Sequence, residues 1–118
     1  RSGKRQGAAL ADEARRHHVG RHVAAGDFIG QKLSQQGKQA HVNTVAQTLE
    51  TTPTGVTNGW RNPDAYQREQ GSVRVTKTYE QSGQYCREYQ QTVTVGGKTE
   101  EAYGTACRQP DGSWMLKN

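Results

Sequence analysis

The feature that most constrains this chain is a pair of cysteines placed symmetrically about a Gly-Gly dipeptide. If Gly96-Gly97 forms a two-residue hairpin loop, Val95 faces Lys98, and counting back along both strands places Cys86 opposite Cys107. Pairs with and without hydrogen bonds alternate along an antiparallel ladder. The count puts the cysteines at a non-hydrogen-bonded pair, where the Cα atoms lie about 4.5 Å apart, a separation that a disulfide tolerates. The pattern therefore predicts a cross-strand disulfide, Cys86–Cys107, and with it an oxidising compartment.

The composition predicts a single small domain with a small core. The chain has 118 residues, of which 31% are hydrophobic, and its mean hydropathy is −1.04. A disulfide that closes a loop of about 20 residues is expected to add roughly 3 kcal/mol to so small a core. No run of 18 apolar residues is present, so no segment is expected to cross a membrane as a helix. We recognise no signal peptide after Arg1, so an exported protein of this sequence is expected to be a mature or truncated piece of its precursor.

Charge divides the chain into two segments. Residues 1–40 carry eight basic and three acidic side chains, which accounts for the whole net charge of +5, and the remaining residues balance. We therefore separate a basic, Gly/Ala/His-rich N-terminal segment, residues 1–40, partly helical or flexible, from an α+β domain, residues 41–118.

Hydrophobic periodicity predicts one helix followed by strands. Val42, Val45, Ala46 and Leu49 follow a helical spacing, with Leu33 upstream of them in the same stretch. Thr51-Thr52-Pro53 ends the helix because proline cannot continue it. Residues 56–71 are interpreted as an irregular connection. Alternating patterns and turn residues then predict four strands, over residues 73–79, 85–95, 98–107 and 114–116. The predicted fold is α+β, an N-terminal helix packed on a four-stranded antiparallel β-meander with one cross-strand disulfide.

The hairpin register also assigns the two faces of the predicted sheet. Tyr89, Val93 and Ala106 share one face, which Val45 and Leu49 of the helix are expected to cover. Tyr89 is expected to cover the backbone of Gly104, which lies opposite it. The other face carries the disulfide together with polar side chains.

That polar face is a candidate partner-binding surface. Tyr103, Gln90 and Thr92 lie on it, and Trp60 of the preceding connection is grouped with them as a further candidate. An aromatic ring among hydrogen-bonding side chains suits contact with an envelope protein or a glycan. The alternative is that these aromatic residues serve the core or cap a sheet edge.

Two weaker candidates lie in the N-terminal segment. His18 and His22 stand one helical turn apart, a spacing that can hold Zn²⁺, Ni²⁺ or Cu²⁺, and the alternative is a solvated polar stretch. Arg15, Arg16 and Arg21 are candidates for binding an anionic lipid or lipopolysaccharide, and the alternative is again a solvated segment. Nucleic acid is not an expected partner, because the disulfide places the chain outside the cytosol.

The sequence does not favour an enzyme or a cofactor. The four histidines all lie within the first 41 residues, and the cysteines are committed to each other. Glu88 and Glu101 become near neighbours across the predicted hairpin, but a catalytic carboxylate pair needs a cleft to separate its pKa values. We therefore expect no catalytic residues.

Several strings of the chain form a recognisable set: Tyr85-Cys86-Arg87-Glu88-Tyr89, Gly96-Gly97-Lys98 and the run from Ala102 to Trp114, with a lead-in over residues 49–55 and 60–63. Together they resemble the 17-kDa surface antigen family, outer-membrane lipoproteins of Gram-negative bacteria. The resemblance covers residues 45–117. Family members usually begin with a lipid-acceptor cysteine and an apolar glycine zipper, whereas here Arg21 and Asp27 interrupt the spaced glycines.

The resemblance implies an envelope location, outer membrane-associated or periplasmic, and no chemical activity. The expected function is that of a non-enzymatic soluble domain of an outer-membrane surface antigen, with a structural or protein-binding role. The alternatives are a secreted or periplasmic binding or inhibitor module, or metal or anion binding by the N-terminal segment.

Overall fold

The computed structural model describes residues 29–117, which form one helix and one antiparallel sheet. The helix α1 covers Gln35–Thr51. The strands are β1 Thr57–Asn62, β2 Glu69–Gln81, β3 Gln84–Val95, β4 Lys98–Arg108 and β5 Trp114–Lys117. They lie in the sheet in chain order, each antiparallel to the next. The predicted α+β fold, a helix on an antiparallel meander, is confirmed.

The sheet has five strands, one more than the sequence predicted. Strand β1 lies within the stretch 56–71 that we interpreted as an irregular connection, and that interpretation is wrong. It pairs with β2 from Thr57–Arg74 to Asn62–Glu69, so β2 also begins four residues before Val73. The β1 sequence carries asparagine and glycine, which are depleted in strands, and this composition hid it.

Tight turns fix the register of the central hairpins. Gly96 and Gly97 both have positive φ angles, 58° and 86°. A two-residue hairpin loop needs such angles at both positions so that its twist matches that of the flanking strands. The predicted register is confirmed from Val95–Lys98 to Cys86–Cys107. The two cysteines form the predicted disulfide, with their Cα atoms 4.0 Å apart.

The helix begins earlier than the predicted domain boundary at residue 41. Ser34 is its N-cap, and the hydroxyl of Ser34 accepts a hydrogen bond of 3.1 Å from the backbone N–H of Gly37. The buried carboxylate of Glu69 in turn accepts from the backbone N–H and the hydroxyl of Ser34, at 2.6 and 2.8 Å. The helix ends at Thr51, before Pro53, as predicted.

The core lies between α1 and one face of the sheet. Val45 and Leu49 are fully buried against that face, as predicted, and the other members of this cluster are Val73, Val75, Tyr89, Ala106 and Trp114. A second, smaller cluster joins Ile29 and Leu33 to Val93. Among the described residues, no helix is long and apolar enough to cross a membrane.

Candidate functional site

The side of the sheet away from α1, here called the outer face, is polar. Side chains alternate between the two sides of each strand, so the strand positions between the core residues point outward. The register places the disulfide on the outer face, as predicted, with Tyr79 and Met115 beside it. The polar and charged residues on this face include Arg61, Gln70, Ser72, Arg74, Lys77, Glu88, Gln90, Thr92, Thr94, Thr99, Glu101, Tyr103, Thr105 and Lys117. No described element of the chain packs over this face in the way that α1 packs over the other, and it is therefore the candidate binding surface.

An ordered polar row crosses the middle of the outer face. Arg74 Nη2 donates to Gln90 Oε1 at 3.3 Å, and Gln90 Nε2 donates to Glu101 Oε2 at 2.6 Å. The three side chains come from β2, β3 and β4, so the hydrogen bonds hold a guanidinium, an amide and a carboxylate in one line. Tyr103, the register partner of Gln90, stands beside this row with 70% of its surface exposed.

A shallow depression lies next to the row, toward the edge strand β1. Its volume is about 400 Å³, at the small end of the range for ligand pockets. It is lined by Gly59, Trp60, Arg61, Gln70, Gly71, Ser72, Thr92 and Thr94. Gly59 has no side chain to fill the outer face at its position. The hydroxyls of Ser72 and Thr92 share one hydrogen bond of 2.6 Å, so a second O–H remains to donate to a ligand.

The structure brings together three of the four candidate partner-binding residues. Tyr103, Gln90 and Thr92 share the outer face, within two register steps of each other. Trp60 does not join them, because its side chain turns to the helix side of the sheet. There its indole N–H donates to His41 Nδ1 at 2.9 Å, although Trp60 is also among the residues that line the depression.

The buried side chain of His41 is a polar feature that the sequence analysis missed. It is 5% exposed, and its Nε2 lies 2.8 Å from Gln91 Oε1 on β3. Burial lowers the pKa of His41, and the hydrogen bond to Gln91 opposes this shift without cancelling it. A usable signal existed, because His41 precedes the core residues Val45 and Leu49 by one and two helical turns.

The remaining candidates are structural or lie elsewhere in the chain. Cys86 and Cys107 are both buried and bonded to each other, so neither thiol is available for chemistry. In the described part of the chain, no group of three or more His, Cys, Asp or Glu side chains is placed to hold a metal ion. The predicted metal residues His18 and His22 and the predicted anion-binding residues Arg15, Arg16 and Arg21 lie outside the described residues.

Comparisons with a family profile and with individual known proteins point to the same family. Residues 47–115 match the profile of the family described as "17 kDa outer membrane surface antigen". A relative from Rickettsia bellii (strain RML369-C), named "17 kDa surface antigen", is 48% identical over 91 residues, which are 76% of this chain and 56% of the relative. The protein of the same name from Rickettsia prowazekii (strain Madrid E) is 53% identical over 76 residues, 64% of this chain and 46% of the relative.

These comparisons concern part of each relative. The chain spans about half the length of the curated relatives it matches. No solved structure matches the chain. The matched residues include α1 from Gln47 onward, β1 to β4 with both cysteines, and the first residues of β5, so the match covers the sheet and the end of the helix. The chain therefore belongs to the 17 kDa surface antigen family.

Proposed function

We propose that this chain is the non-catalytic folded domain of a cell-envelope surface antigen, and that its outer face binds a protein partner. The observation that carries the proposal is Tyr103, which stands 70% exposed beside a hydrogen-bonded row of polar side chains. Exposed tyrosines anchor many protein interfaces, because they offer a large rigid ring with a polar end. The family name and the disulfide both support a location in the envelope.

Charge indicates what kind of protein would fit. The basic side chains on the outer face are Arg61, Arg74, Lys77 and Lys117, and the acidic ones are Glu88 and Glu101. Glu101 already accepts a hydrogen bond from Gln90. The Arg61 side chain has no hydrogen bond or ion pair within the described structure, and Arg61 lines the depression beside the one hydroxyl of the Ser72–Thr92 pair that is left to donate. An acidic segment of a partner protein complements this surface better than a basic one.

A pull-down from an envelope extract tests the proposal. Tyr103→Ala is expected to weaken capture of the partner by at least about tenfold, as for an interface hot spot. Tyr66→Ala is the matched control, because Tyr66 is a fully exposed tyrosine in the loop between β1 and β2 and is not on the outer face. Capture that is equal for wild type, Tyr103→Ala and Arg61→Ala contradicts the proposal.

A second experiment tests whether the partner is a protein or a glycan. The captured protein, once identified, should bind the purified chain directly, and binding should weaken as salt rises because the surface is basic. Binding that survives proteolysis of the extract, or sedimentation of the chain with isolated envelope polysaccharide, would instead show a glycan ligand. Cell fractionation of the full-length precursor separates attachment to the outer membrane from a free periplasmic or secreted location.

A further inference from the structure

One partly buried contact joins the helix to the edge strand through the buried His41 and the half-buried Trp60. The Trp60 indole N–H donates to His41 Nδ1 at 2.9 Å, and the two rings meet edge to face with centroids 6.0 Å apart. The other ring nitrogen, Nε2, lies 2.8 Å from Gln91 Oε1. An indole nitrogen can only donate, so Nδ1 must accept and carries no proton, while Nε2 carries the proton and donates to Gln91. The site therefore fits the neutral imidazole alone.

Protonation of His41 would break this arrangement. A proton on Nδ1 would place an N–H donor against the indole N–H donor, and the His41–Trp60 contact has no acceptor to offer either of them. The imidazolium would also be charged in a site that leaves 5% of His41 exposed. Burial already lowers the pKa of His41, which is the direction expected of a site built for the neutral ring.

The charged groups around His41 are engaged elsewhere or lie at the rim. On the helix side of the sheet, the described charged residues are Glu69, Glu80, Arg87, Lys98, Glu100 and Arg108. Glu69 accepts from Ser34 and Asn62, and Glu100 accepts from the backbone N–H of Gly30. Arg87 donates to the last carbonyls of α1. On α1 itself, Lys38 and Glu50 are exposed.

In the described structure strand β1 has a neighbouring strand on one side only, β2. On the helix side it is held by Trp60 and by two asparagines that flank it, Asn58 and Asn62. Asn62 Nδ2 donates to Glu69 Oε1 at 3.2 Å. Asn58 Nδ2 donates to the hydroxyls of Thr48 and Thr52 at the far end of the helix, at 3.0 and 2.6 Å. Trp60 is the central anchor between β1 and α1, and its indole lies so close over Gly71 that a Cβ there would collide with it.

We propose that His41 and Trp60 form an acid-sensitive latch: uptake of a proton by His41 releases Trp60 from α1 and loosens β1, while β2 to β5 stay paired. The latch does not depend on the binding role of the outer face. Gly59 and Arg61 of β1 form one wall of the outer-face depression. A second consequence, which rests on the proposed function, is therefore weaker partner binding in acid.

NMR of the full chain between pH 7.5 and 5.0 tests the latch. Trp60 belongs to the latch and Trp114 does not, so the Trp114 indole signal is an internal control. The Trp60 indole N–H signal is expected to shift. The protection factors of the β1 amides, which correct for the pH dependence of intrinsic exchange, are expected to fall by up to about tenfold per pH unit below about pH 6.5, where a released His41 takes up a proton. The Trp114 indole, which donates to Glu50 at 3.0 Å, and the amides of β3 and β4 should keep their signals and protection.

Two variants make the outcome specific to the latch. In His41→Gln, the amide oxygen can accept from Trp60 and the amide nitrogen can donate to Gln91, so both contacts remain and the acid response should vanish. In Trp60→Phe, the opposing donor is gone, so His41 should titrate at a higher pH than in the wild type. The Trp60→Phe measurement stands even if His41→Gln does not fold.

Three results would overturn the latch. They are an unchanged Trp60 indole and unchanged β1 protection at pH 5.0, the same acid response in His41→Gln, or loss of protection in every strand together. The affinity for the captured partner, measured at pH 7.5 and pH 5.5, separately tests whether partner binding weakens in acid. A latch that opens without any partner binding at pH 7.5 would contradict the proposed function and leave the latch standing.

Discussion

At the scale of single residues, Gly104 shows how closely the helix side of the sheet is packed. It faces Tyr89 across the β3–β4 pair, as the hairpin register predicted. A Cβ at Gly104 would lie 2.8 Å from the Tyr89 hydroxyl oxygen and 2.9 Å from its Cζ. Tyr89 is 3% exposed, so its ring has little room to move away.

We expect Gly104→Ala to lower the free energy of unfolding by about 1–3 kcal/mol, the usual cost of adding a methyl group to a filled core. Chemical denaturation of the oxidised protein measures it. Gly59→Ala is the matched control, since a Cβ at Gly59 would meet only the carbonyl oxygen of Gly71 at 3.4 Å. A Gly104→Ala protein that is as stable as Gly59→Ala would show that Tyr89 can move aside.

At the scale of elements, Arg87 joins the helix to the sheet. It lies on β3 and is 5% exposed. Its guanidinium donates to the backbone carbonyls of Thr48, Leu49 and Thr52 at the end of α1. The Thr48 carbonyl also accepts from the backbone N–H of Thr52, whereas those of Leu49 and Thr52 lie where the helix supplies no further N–H donor. Its Nε also donates to the Thr78 hydroxyl on β2 at 3.1 Å. One side chain therefore caps the helix and fixes its position over two strands.

Arg87→Met should therefore lower the free energy of unfolding by about 2–4 kcal/mol, because methionine fills the space but leaves buried carbonyl groups without donors. Helix amides near Thr48 should also exchange faster with solvent. Arg74→Met provides the comparison, since Arg74 is an exposed arginine on the outer face with one hydrogen bond of 3.3 Å. Equal effects of the two substitutions would contradict a capping role for Arg87.

The elements also show which parts of this fold are accessible to sequence reasoning. The Gly96-Gly97 loop determines the register of β3 and β4, so the disulfide, the Tyr89–Gly104 pair and the outer-face group of Tyr103, Gln90 and Thr92 followed from counting. Strand β1 could not be found in this way. It is held by its pairing with β2 and by partly buried contacts of Asn58 and Trp60. Such tertiary contacts produce no alternation of hydrophobic and polar residues that could be recognised in the β1 sequence.

The same limit explains the buried polar groups. Arg87, His41 and Glu69 are charged or titratable residues that composition assigns to the surface. Each is buried because the fold supplies matching partners from distant parts of the chain: helix carbonyls for Arg87, Trp60 and Gln91 for His41, and Ser34 and Asn62 for Glu69. These partners lie 7 to 50 residues away along the chain, and all but Asn62 are at least 19 residues away, so local pattern alone does not identify them.

At the scale of the whole molecule, two buried titratable groups should define the pH range of stability. Burial lowers the pKa of His41 and raises the pKa of Tyr89 to about 12. The unfolded chain then takes up a proton at His41 first as the pH falls below about 6.5, and it loses a proton at Tyr89 first as the pH rises above about 10. Stability from both groups is present between these values and is lost outside them, at a slope of at most about 1.4 kcal/mol per pH unit for each group.

Denaturation midpoints measured from pH 5 to pH 11 test this window. Tyr89→Phe should flatten the alkaline side and leave the acid side unchanged, and His41→Gln should do the reverse. Midpoints of the wild type that stay constant from pH 5 to pH 11 would contradict the argument for both groups.

The extent of the folded unit is also a property of the whole molecule. The charge pattern placed a boundary at residue 41, but α1 begins at Gln35, and Ile29 and Leu33 are 4% and 6% exposed against Val93. A chain cut at residue 41 loses the Ser34 cap, the first turns of α1 and two buried side chains. Burial of each such side chain is worth about 1.5–3 kcal/mol, and the cap about 1 kcal/mol.

We therefore expect residues 29–118 to unfold near the denaturant midpoint of the full chain, and residues 41–118 to be destabilised by about 4 kcal/mol or more. That loss approaches the whole stability of a small domain, and the surviving disulfide constrains only the β3–β4 hairpin. Leu33→Ala in residues 29–118 is the intermediate case and should cost about 2–5 kcal/mol. If residues 41–118 unfold at the same midpoint as residues 29–118, the Ile29–Leu33 cluster contributes nothing to stability, and the folded unit begins at the charge boundary after all.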